Sequence, residues 1–447
     1  MSRPPRRRVV VTGLGVVAPN GVGVAAFRDA LQAGRSGIQR HETLRENNFA
    51  CQIGGVPPLT EEDILRVLPF STYQKLSEAM VYAGLAAIEC ARSAGIPVDP
   101  MQGYLDSPVD WSSGAFIGSG LGGGMDFLYD EFFPILGQAP KSEPGRGVAA
   151  IGADAVPKVM GSSVSVTVGR ILGLGGQVST NSSACTTGTE AIFEGWKNVA
   201  FGFADAMYVG GAEGSHFGIW AGFDAMRNVL CSSFNEAPEL GSRPMSATAC
   251  GFVPGSGAGV LRLESLESAL ARDAPILCEL VSAFCNSGGQ RDGGTMTFPN
   301  PEGVVRCIRT VLEDSGIGPG DVTLINGHLT STAADPFEVA NWARALRVEP
   351  EKLPLIQSTK SMVGHGLGAA GAVEAIAVVD QIAGRYVHPS INCEDVHPEI
   401  RRAEASIPRR LLCREVDYAL KASFGFGDVN GALVFRSFDG DSRSLTR

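Results

Sequence analysis

From RRRVVVTGLG near the start to GALVFRSF near residue 437, short Val-rich runs alternate with Ala-rich stretches of helical spacing. That alternation restricts the fold more than any single motif: strands joined through helices line up largely parallel, with helices covering both faces of the sheet. Glycines collect just behind predicted strands, in GSGLGGG (118–124), VGGAEG (209–214) and GFGD (425–428), where backbone approaches a ligand or another strand closely. The 447 residues suffice for two domains or one large α/β unit, and no linker interrupts them. The alternation runs twice, its second pass opening near PILCELVSAF at 275–284, so residues 1–268 and 269–447 read as two related halves. The polar, Pro-containing region 40–75 and the loop-rich region 98–160, with its PKSEPGRG stretch, read as insertions on that core.

Composition removes several function classes. The net charge is −10 and no block of Lys or Arg is long enough for a nucleic-acid footprint. The longest apolar stretch of helical character, GAAGAVEAIAVV (368–379), carries Glu374 and stops short of a bilayer span, so no membrane insertion is expected. Arg6, Arg7 and Arg8 ahead of VVVTGLGVVA imitate a secretory signal, but Thr12, Gly13 and Gly15 dilute the apolar run, which reads as a strand entering a turn. The ten cysteines are scattered with no C-x-x-C pair, which suits a reducing cytoplasm. Gly13, Gly15 and Ala18 match a dinucleotide fingerprint, yet Pro19-Asn20-Gly21 interrupts the helix that should follow, and no nicotinamide or flavin is expected.

One cysteine differs from the others in its surroundings. Cys185 lies in NSSACTTGTEA (181–191), between a predicted strand over 176–183 and a predicted helix over 186–201, with a further strand at 206–214. A helix N-terminus stabilises a thiolate, and a sharp turn of small residues leaves sulfur open to a substrate. Of six histidines, two occupy positions suited to serve it: His328 ends the strand VTLIN, and His365 opens the helix in STKSMVGHGLGAAGAVEA. A histidine at a helix N-terminus is biased toward its neutral form. No Cys or His pair shows metal-ligand spacing, so no metal is expected.

NSSACTTGTEA, NGHLTST, STKSMVGHGLGAAGAVE and SFGFGDVNGA, in that order, resemble the elongating β-ketoacyl-acyl-carrier-protein synthases of type II fatty acid and polyketide synthesis, over nearly the whole chain. The resemblance implies the thiolase fold: two βαβαβαββ halves whose five-stranded sheets stack between helices in a five-layered αβαβα core. It implies a dimer, either of identical chains or with a related subunit, and acyl carrier protein as partner. No cofactor is implied, since the substrates arrive on the carrier's phosphopantetheine arm. Residue by residue, Cys185 is the acyl acceptor; His328 and His365 bind the malonyl thioester carbonyl and stabilise the enolate left by decarboxylation. The backbone N–H groups of Cys185 and Phe426 form the oxyanion hole. Phe426 gates the acyl pocket with Phe223. Lys360 pairs with an acid, matched by Glu338, and tunes the histidines. Thr330 and Thr332 hold the phosphopantetheine arm, and Arg227 docks the carrier.

Departures from the family pattern surround this set. Gly327 and Leu329 flank His328, the loop from Thr332 to Asp335 is one residue short, Ser256 stands where a glutamate is usual, TACGF (248–252) replaces a charged run, and Asp428-Val429 replaces Gly-Thr. They point toward a specialised synthase for a polyene or other polyketide beside the fatty-acid role. Two alternatives stay open: a non-catalytic chain-length subunit, which lacks the cysteine, and a degradative thiolase, which adds a second cysteine in the C-terminal Gly-rich loop.

Overall fold

Strand β1 (Val9–Ala18) is buried at every position. A strand covered on both faces reads as a continuous apolar run, which explains the Val-rich blocks. The other core strands are β2 (Ser113–Gly118), β3 (Val178–Ser179), β4 (Ala206–Glu213), β5 (Gly257–Ser265), β6 (Cys278–Ser287), β7 (Leu324–Asn326), β8 (Leu355–Gln357), β9 (Tyr418–Gly425) and β10 (Val429–Arg436). Between them run helices α1 (Glu78–Ser93), α2 (Ser163–Leu172), α3 (Thr187–Ala200), α4 (Pro301–Ser315), α5 (Asp335–Leu346) and α6 (Ala370–Gly384). The computed structural model describes residues 6–102, 108–121, 124–138 and 146–438.

The strands form one sheet in the order β8-β7-β9-β10-β6-β1-β5-β4-β2-β3. In the first half β3, β2 and β4 are parallel, while β5 and β1 add antiparallel. In the second half β8, β7 and β9 are parallel, while β10 and β6 add antiparallel. Each half is thus βαβαβαββ with the same strand order, and the sheet is continued from one half to the other by the pairs Val10–Glu279 and Val11–Cys278. The predicted division at 268/269 falls inside the short helix Leu266–Ala271 between them.

Helices α3 and α6 pack against strands of both halves and against each other, forming the central layer. Small residues permit that crossing: a Cβ on Gly188 would stand 2.7 Å from the Ala372 nitrogen, and one on Gly371 2.6 Å from the Thr189 nitrogen. Helices α1 and α2 cover the first half, and α4 and α5 the second, completing the αβαβα order of the thiolase fold. The stretch Leu367–Gly384 reaches the length and hydropathy of a bilayer span, but 89% of it is buried in this central layer. Gly15, part of the apparent dinucleotide motif, is consumed by packing: a Cβ there would lie 1.9 Å from the Ala86 carbonyl oxygen of α1.

The first predicted insertion carries the hairpin Ile38–Arg40/Ile53–Gly55 and short helices. The second is corrected: region 98–160 contains the core strand β2 (Ser113–Gly118), paired on both sides, and the short helical turns between Met125 and Val159 follow it. Most of PKSEPGRG, and Gly122 and Gly123 of GSGLGGG, lie outside the described residues.

Candidate active site

The polar residues ahead of Cys185 bond to the first turn of α3 rather than extending β3. Ser183 N donates to Thr187 Oγ1 at 2.8 Å, Thr187 Oγ1 donates to the Ala184 carbonyl at 2.6 Å, and Asn181 Nδ2 donates to the Thr187 carbonyl at 3.0 Å. These bonds hold Ala184 at φ 50, a left-handed conformation costly for a residue with a Cβ, and the next residue, Cys185, sits in the 3-10 turn Ala184–Thr186 that opens α3. Strand β9 ends against this turn. Its Gly425 is obligatory there, since a Cβ would meet Thr186 Oγ1 at 2.9 Å and the Ser183 carbonyl at 3.0 Å.

The expectation of a lowered thiol pKa is corrected. Burial pushes Cys185 up to about 11, and the downward pull of Lys360 and of the Phe426 and Cys185 N–H groups does not reverse it. A thiolate loses more hydration in this interior than one helix end returns. The resting sulfur is a neutral thiol, faced by the two backbone N–H groups that the resemblance assigned to the oxyanion hole.

Cys185, His328 and His365 are all buried, with their Sγ and ring nitrogens within 4.8 Å of one another. The imidazoles meet edge to face, centroids 5.3 Å apart. His365 follows Gly364, whose φ of 69 ends the turn Lys360–Val363, so it lies in a bridge to Pro254, two residues before the 3-10 turn Leu367–Ala369. Its Nδ1 accepts the Leu367 N–H at 3.2 Å. His328 Nδ1 lies 3.4 Å from the Lys360 ammonium. With Nδ1 facing a donor in each ring, the proton of each neutral imidazole belongs on Nε2. Both stay neutral because burial, then Lys360, holds their pKa well below the usual value. The site therefore offers two Nε2–H donors beside one thiol.

The lysine's partner is corrected as well. Lys360 donates to Glu374 and, at 2.7 Å, to the His328 carbonyl. Lys421 Nζ stands 2.6 Å from the second Glu374 oxygen, off the line of a hydrogen bond, so its hold is mainly electrostatic. All three side chains are at most 1% exposed. Glu338 instead accepts the N–H groups of His328 and Leu329, both at 2.7 Å, and the Trp342 indole N–H at 3.1 Å. It lies on α5, ten residues beyond His328, where it fixes the backbone of the histidine loop without reaching the lysine. Glu374 and Lys421 were missed as site residues. The available signal was a lone charge inside an apolar run, in GAAGAVEAIAVV and in YALKASF.

A cavity of about 260 Å³ reaches the triad, lined among others by Cys185, Phe223, Phe252, Thr330, Thr332, His328, His365 and Phe426. Phe223 and Phe426 are in contact, centroids 6.2 Å apart, and Phe252 stacks edge-on to His365 at 5.0 Å. The Thr330 and Thr332 hydroxyls are 2.9 Å apart. Asn228 is on the cavity wall. Arg227 precedes it, exposed and left-handed at φ 48.

The β-ketoacyl synthase N-terminal domain model matches residues 6–269, and the β-ketoacyl synthase C-terminal domain model matches residues 277–394. The chain belongs to the β-ketoacyl synthase family. It is 34% identical to 3-oxoacyl-[acyl-carrier-protein] synthase 2 of Vibrio harveyi over 96% of this chain and 99% of that one. Two solved structures superpose over 97% of this chain and 100% of theirs, at 28% identity: a β-ketoacyl synthase from Burkholderia phymatum with TM-score 0.85, and a type II polyketide synthase ketosynthase complexed with its acyl-carrier protein with TM-score 0.83. This synthase is an acyltransferase, and neither alternative is favoured.

The departures have physical consequences. A Cβ on Gly327 would lie 2.7 Å from Glu338 Oε1, so glycine here lets the carboxylate close on the histidine loop. The shortened loop is held by Asp335, which accepts the N–H groups of Thr330 at 2.8 Å, Ser331 at 3.1 Å and Met245 at 2.9 Å. Asp428 accepts from Gln290 N and Asn300 N, both at 2.8 Å, tying the GFGD loop to the segment behind it. The Cys-His-His cluster has the elements of a metal site, but ligation through Nε2 would require both rings to move their protons to Nδ1, against the donors already there.

Proposed function

We propose that this synthase transfers an acyl chain from a carrier-protein thioester to Cys185 and condenses it, by decarboxylative Claisen chemistry, with a malonyl unit on acyl carrier protein. The observation that carries this reading is the convergence of one thiol, two backbone N–H groups and two Nε2–H imidazoles on one cavity. In the first half-reaction the Cys185 sulfur attacks the thioester carbonyl, the N–H groups of Cys185 and Phe426 take the oxyanion charge, and the thiol proton leaves with the carrier's sulfur. In the second, His328 and His365 donate to the malonyl thioester oxygen, the bond to the carboxylate breaks and CO2 departs, the enolate carbon attacks the acyl-Cys185 carbonyl, and the C–S bond breaks to release the Cys185 thiolate, which takes a proton from solvent. Fixed donors of this kind are worth roughly 3–4 kcal/mol each. No metal or cofactor takes part.

Thr330 and Thr332 line the path of the phosphopantetheine arm, Phe223 and Phe426 gate the acyl pocket, and exposed Arg227 at its rim meets the acidic carrier. The changes around Ser256, TACGF and Asp428-Val429 favour a specialised polyketide or polyene role over primary fatty-acid synthesis. The working unit is a cytoplasmic dimer: β3 pairs on one side only, with β2, and Trp111, Leu121 and Val166 in that half are 78%, 48% and 41% exposed. A chain that dimerises only when a related subunit is added would make it a heterodimer.

The deciding experiment offers acyl-carrier proteins of graded chain length, then malonyl-carrier protein, and follows Cys185 by mass spectrometry and CO2 release. Acyl-Cys185 that discharges into a lengthened product is expected. A Cys185→Ala chain acylated as fast as wild type would overturn the proposal.

A further inference from the structure

Cys231 and Cys250 are nineteen residues apart, and their sulfurs lie 2.8 Å from each other, closer than ordinary non-bonded contact. Cys231 is fully buried, whereas Cys250 is partly open to solvent beside exposed Ser233. The backbone brings them together: Leu230 and Phe252 form an isolated bridge, the Cys231 N–H donates to the Phe252 carbonyl at 3.0 Å, and the Phe252 N–H donates to the Val229 carbonyl at 2.9 Å. Gly251, at φ 124, makes this possible, since a Cβ there would lie 2.7 Å from the Leu230 carbonyl carbon. The same two segments supply Asn228, Val229 and Phe252 to the wall of the active-site cavity.

The two thiols differ in chemistry. Cys250 is pulled down, first by its contact with the Cys231 sulfur and then by Ser233, with Arg243 assisting. Cys231 is pushed up by the same contact and by burial. The more open sulfur, Cys250, is the one a peroxide can reach, and buried Cys231 beside it is placed to resolve the product.

We infer that Cys231 and Cys250 form a peroxide-reactive pair that closes to a disulfide behind the active-site wall before the nucleophile Cys185 is oxidised. The Cys250 thiolate attacks a peroxide oxygen, the O–O bond breaks, and with one proton the products are Cys250 sulfenic acid and water. Cys231 sulfur then attacks the sulfenic sulfur and the S–O bond breaks. The Cys231 proton leaves with the oxygen as a second water, so two thiols are oxidised and one peroxide reduced.

The selectivity follows from access and neighbourhood: Cys250 is partly open to solvent with a second sulfur 2.8 Å away, whereas Cys185 is buried. The direction of the shifts, down at Cys250 beside its partner and up at Cys185 through burial, acts the same way.

The test treats the reduced full-length protein with one equivalent of hydrogen peroxide, quenches free thiols by alkylation, and maps peptides without reduction. The expected product is two hydrogens lighter, with Cys231 and Cys250 linked and Cys185 still alkylated as a free thiol. In Cys231→Ser the link is lost and a dimedone-trapped sulfenic acid accumulates on Cys250. Oxidation of Cys185 before Cys250, or cross-links spread over other cysteines, would overturn the inference, and so would a Cys250 unreactive to peroxide in wild type and Cys231→Ser alike. None of these readings depends on which acyl substrate the synthase uses.

Discussion

Glu374→Gln removes the only negative charge between two ammonium groups that are themselves fully buried. The variant keeps the shape of the side chain, so lost packing contributes little. Breaking a buried ion pair by deleting one partner costs about 3–5 kcal/mol, because the remaining charge stays desolvated, and here two charges are left. Against a stability of about 5–15 kcal/mol this is a large fraction. With an unfolding entropy of about 2.1 cal/mol/K per residue, 447 residues give about 0.9 kcal/mol/K, so Tm should fall by about 3–5 °C. The deficit should also depend on pH. Lys421 is already pulled down to about 8, by burial first, from its ordinary 10.5, and losing Glu374 lowers it further. A lysine with a depressed folded pKa leaves the unfolded chain holding more protons, so stability rises with pH between the folded and unfolded values. The variant should therefore recover part of its loss between pH 7 and pH 9. The double variant Glu374→Gln/Lys421→Met restores the original net charge and should be more stable than the single one. Calorimetry at both pH values decides it. A Tm change under about 1 °C, or a double variant that loses the sum of the two single effects, would refute the reasoning.

Other expectations follow from the same geometry. His328→Ala should slow decarboxylation of malonyl-carrier protein by about 10²–10³ while Cys185 acylation stays within tenfold, measured as separate half-reactions. Phe426→Ala keeps the backbone N–H at the sulfur and opens the contact with Phe223, so acylation should persist while chain-length preference in a competition assay broadens. Glu338 is pushed up to about 7, chiefly by burial, from its ordinary 4.5. Its contribution is therefore fully present below about pH 4.5 and lost as pH rises through about 7, so Glu338→Gln should flatten the pH dependence of denaturant stability between pH 5 and pH 8, removing up to about 3 kcal/mol of slope.

The repeated strand order was legible because strands buried on both faces must be written in Val, Ile and Leu, and because helices α3 and α6 need small residues where they cross. Local departures came from side chains that compete with the ladder. The expected strand over 176–183 shrinks to Val178–Ser179 because Asn181 and Ser183 bond to α3. His365 is expected at a helix start, but Gly364 reverses the chain first and leaves it bridged to Pro254, two residues before the helical turn. That same reversal brings Glu374 back onto Lys360, a meeting that spacing in the sequence does not announce. Glu338, chosen by motif order, is spent on backbone N–H groups. Cys231 and Cys250 show no C-x-x-C spacing because their pairing depends on a bridge between two separate segments.

The raised pKa of Cys185 and the lowered pKa of its two imidazoles describe one economy of charge. Burial holds the thiol and both imidazoles neutral, and the charges packed behind them include Lys360, Lys421 and Glu374, which are themselves buried. Acyl transfer from one thioester to another thiol consumes no net proton, so the enzyme has no need of a standing thiolate. It needs donors that strengthen as the carbonyl oxygen gains charge, and these are present before substrate arrives. Pre-ionising the sulfur would add reactivity toward peroxide and alkylating agents without stabilising that oxygen. The thiol whose pKa is pulled down is Cys250, beside the Cys231 sulfur and not among the residues that line the cavity.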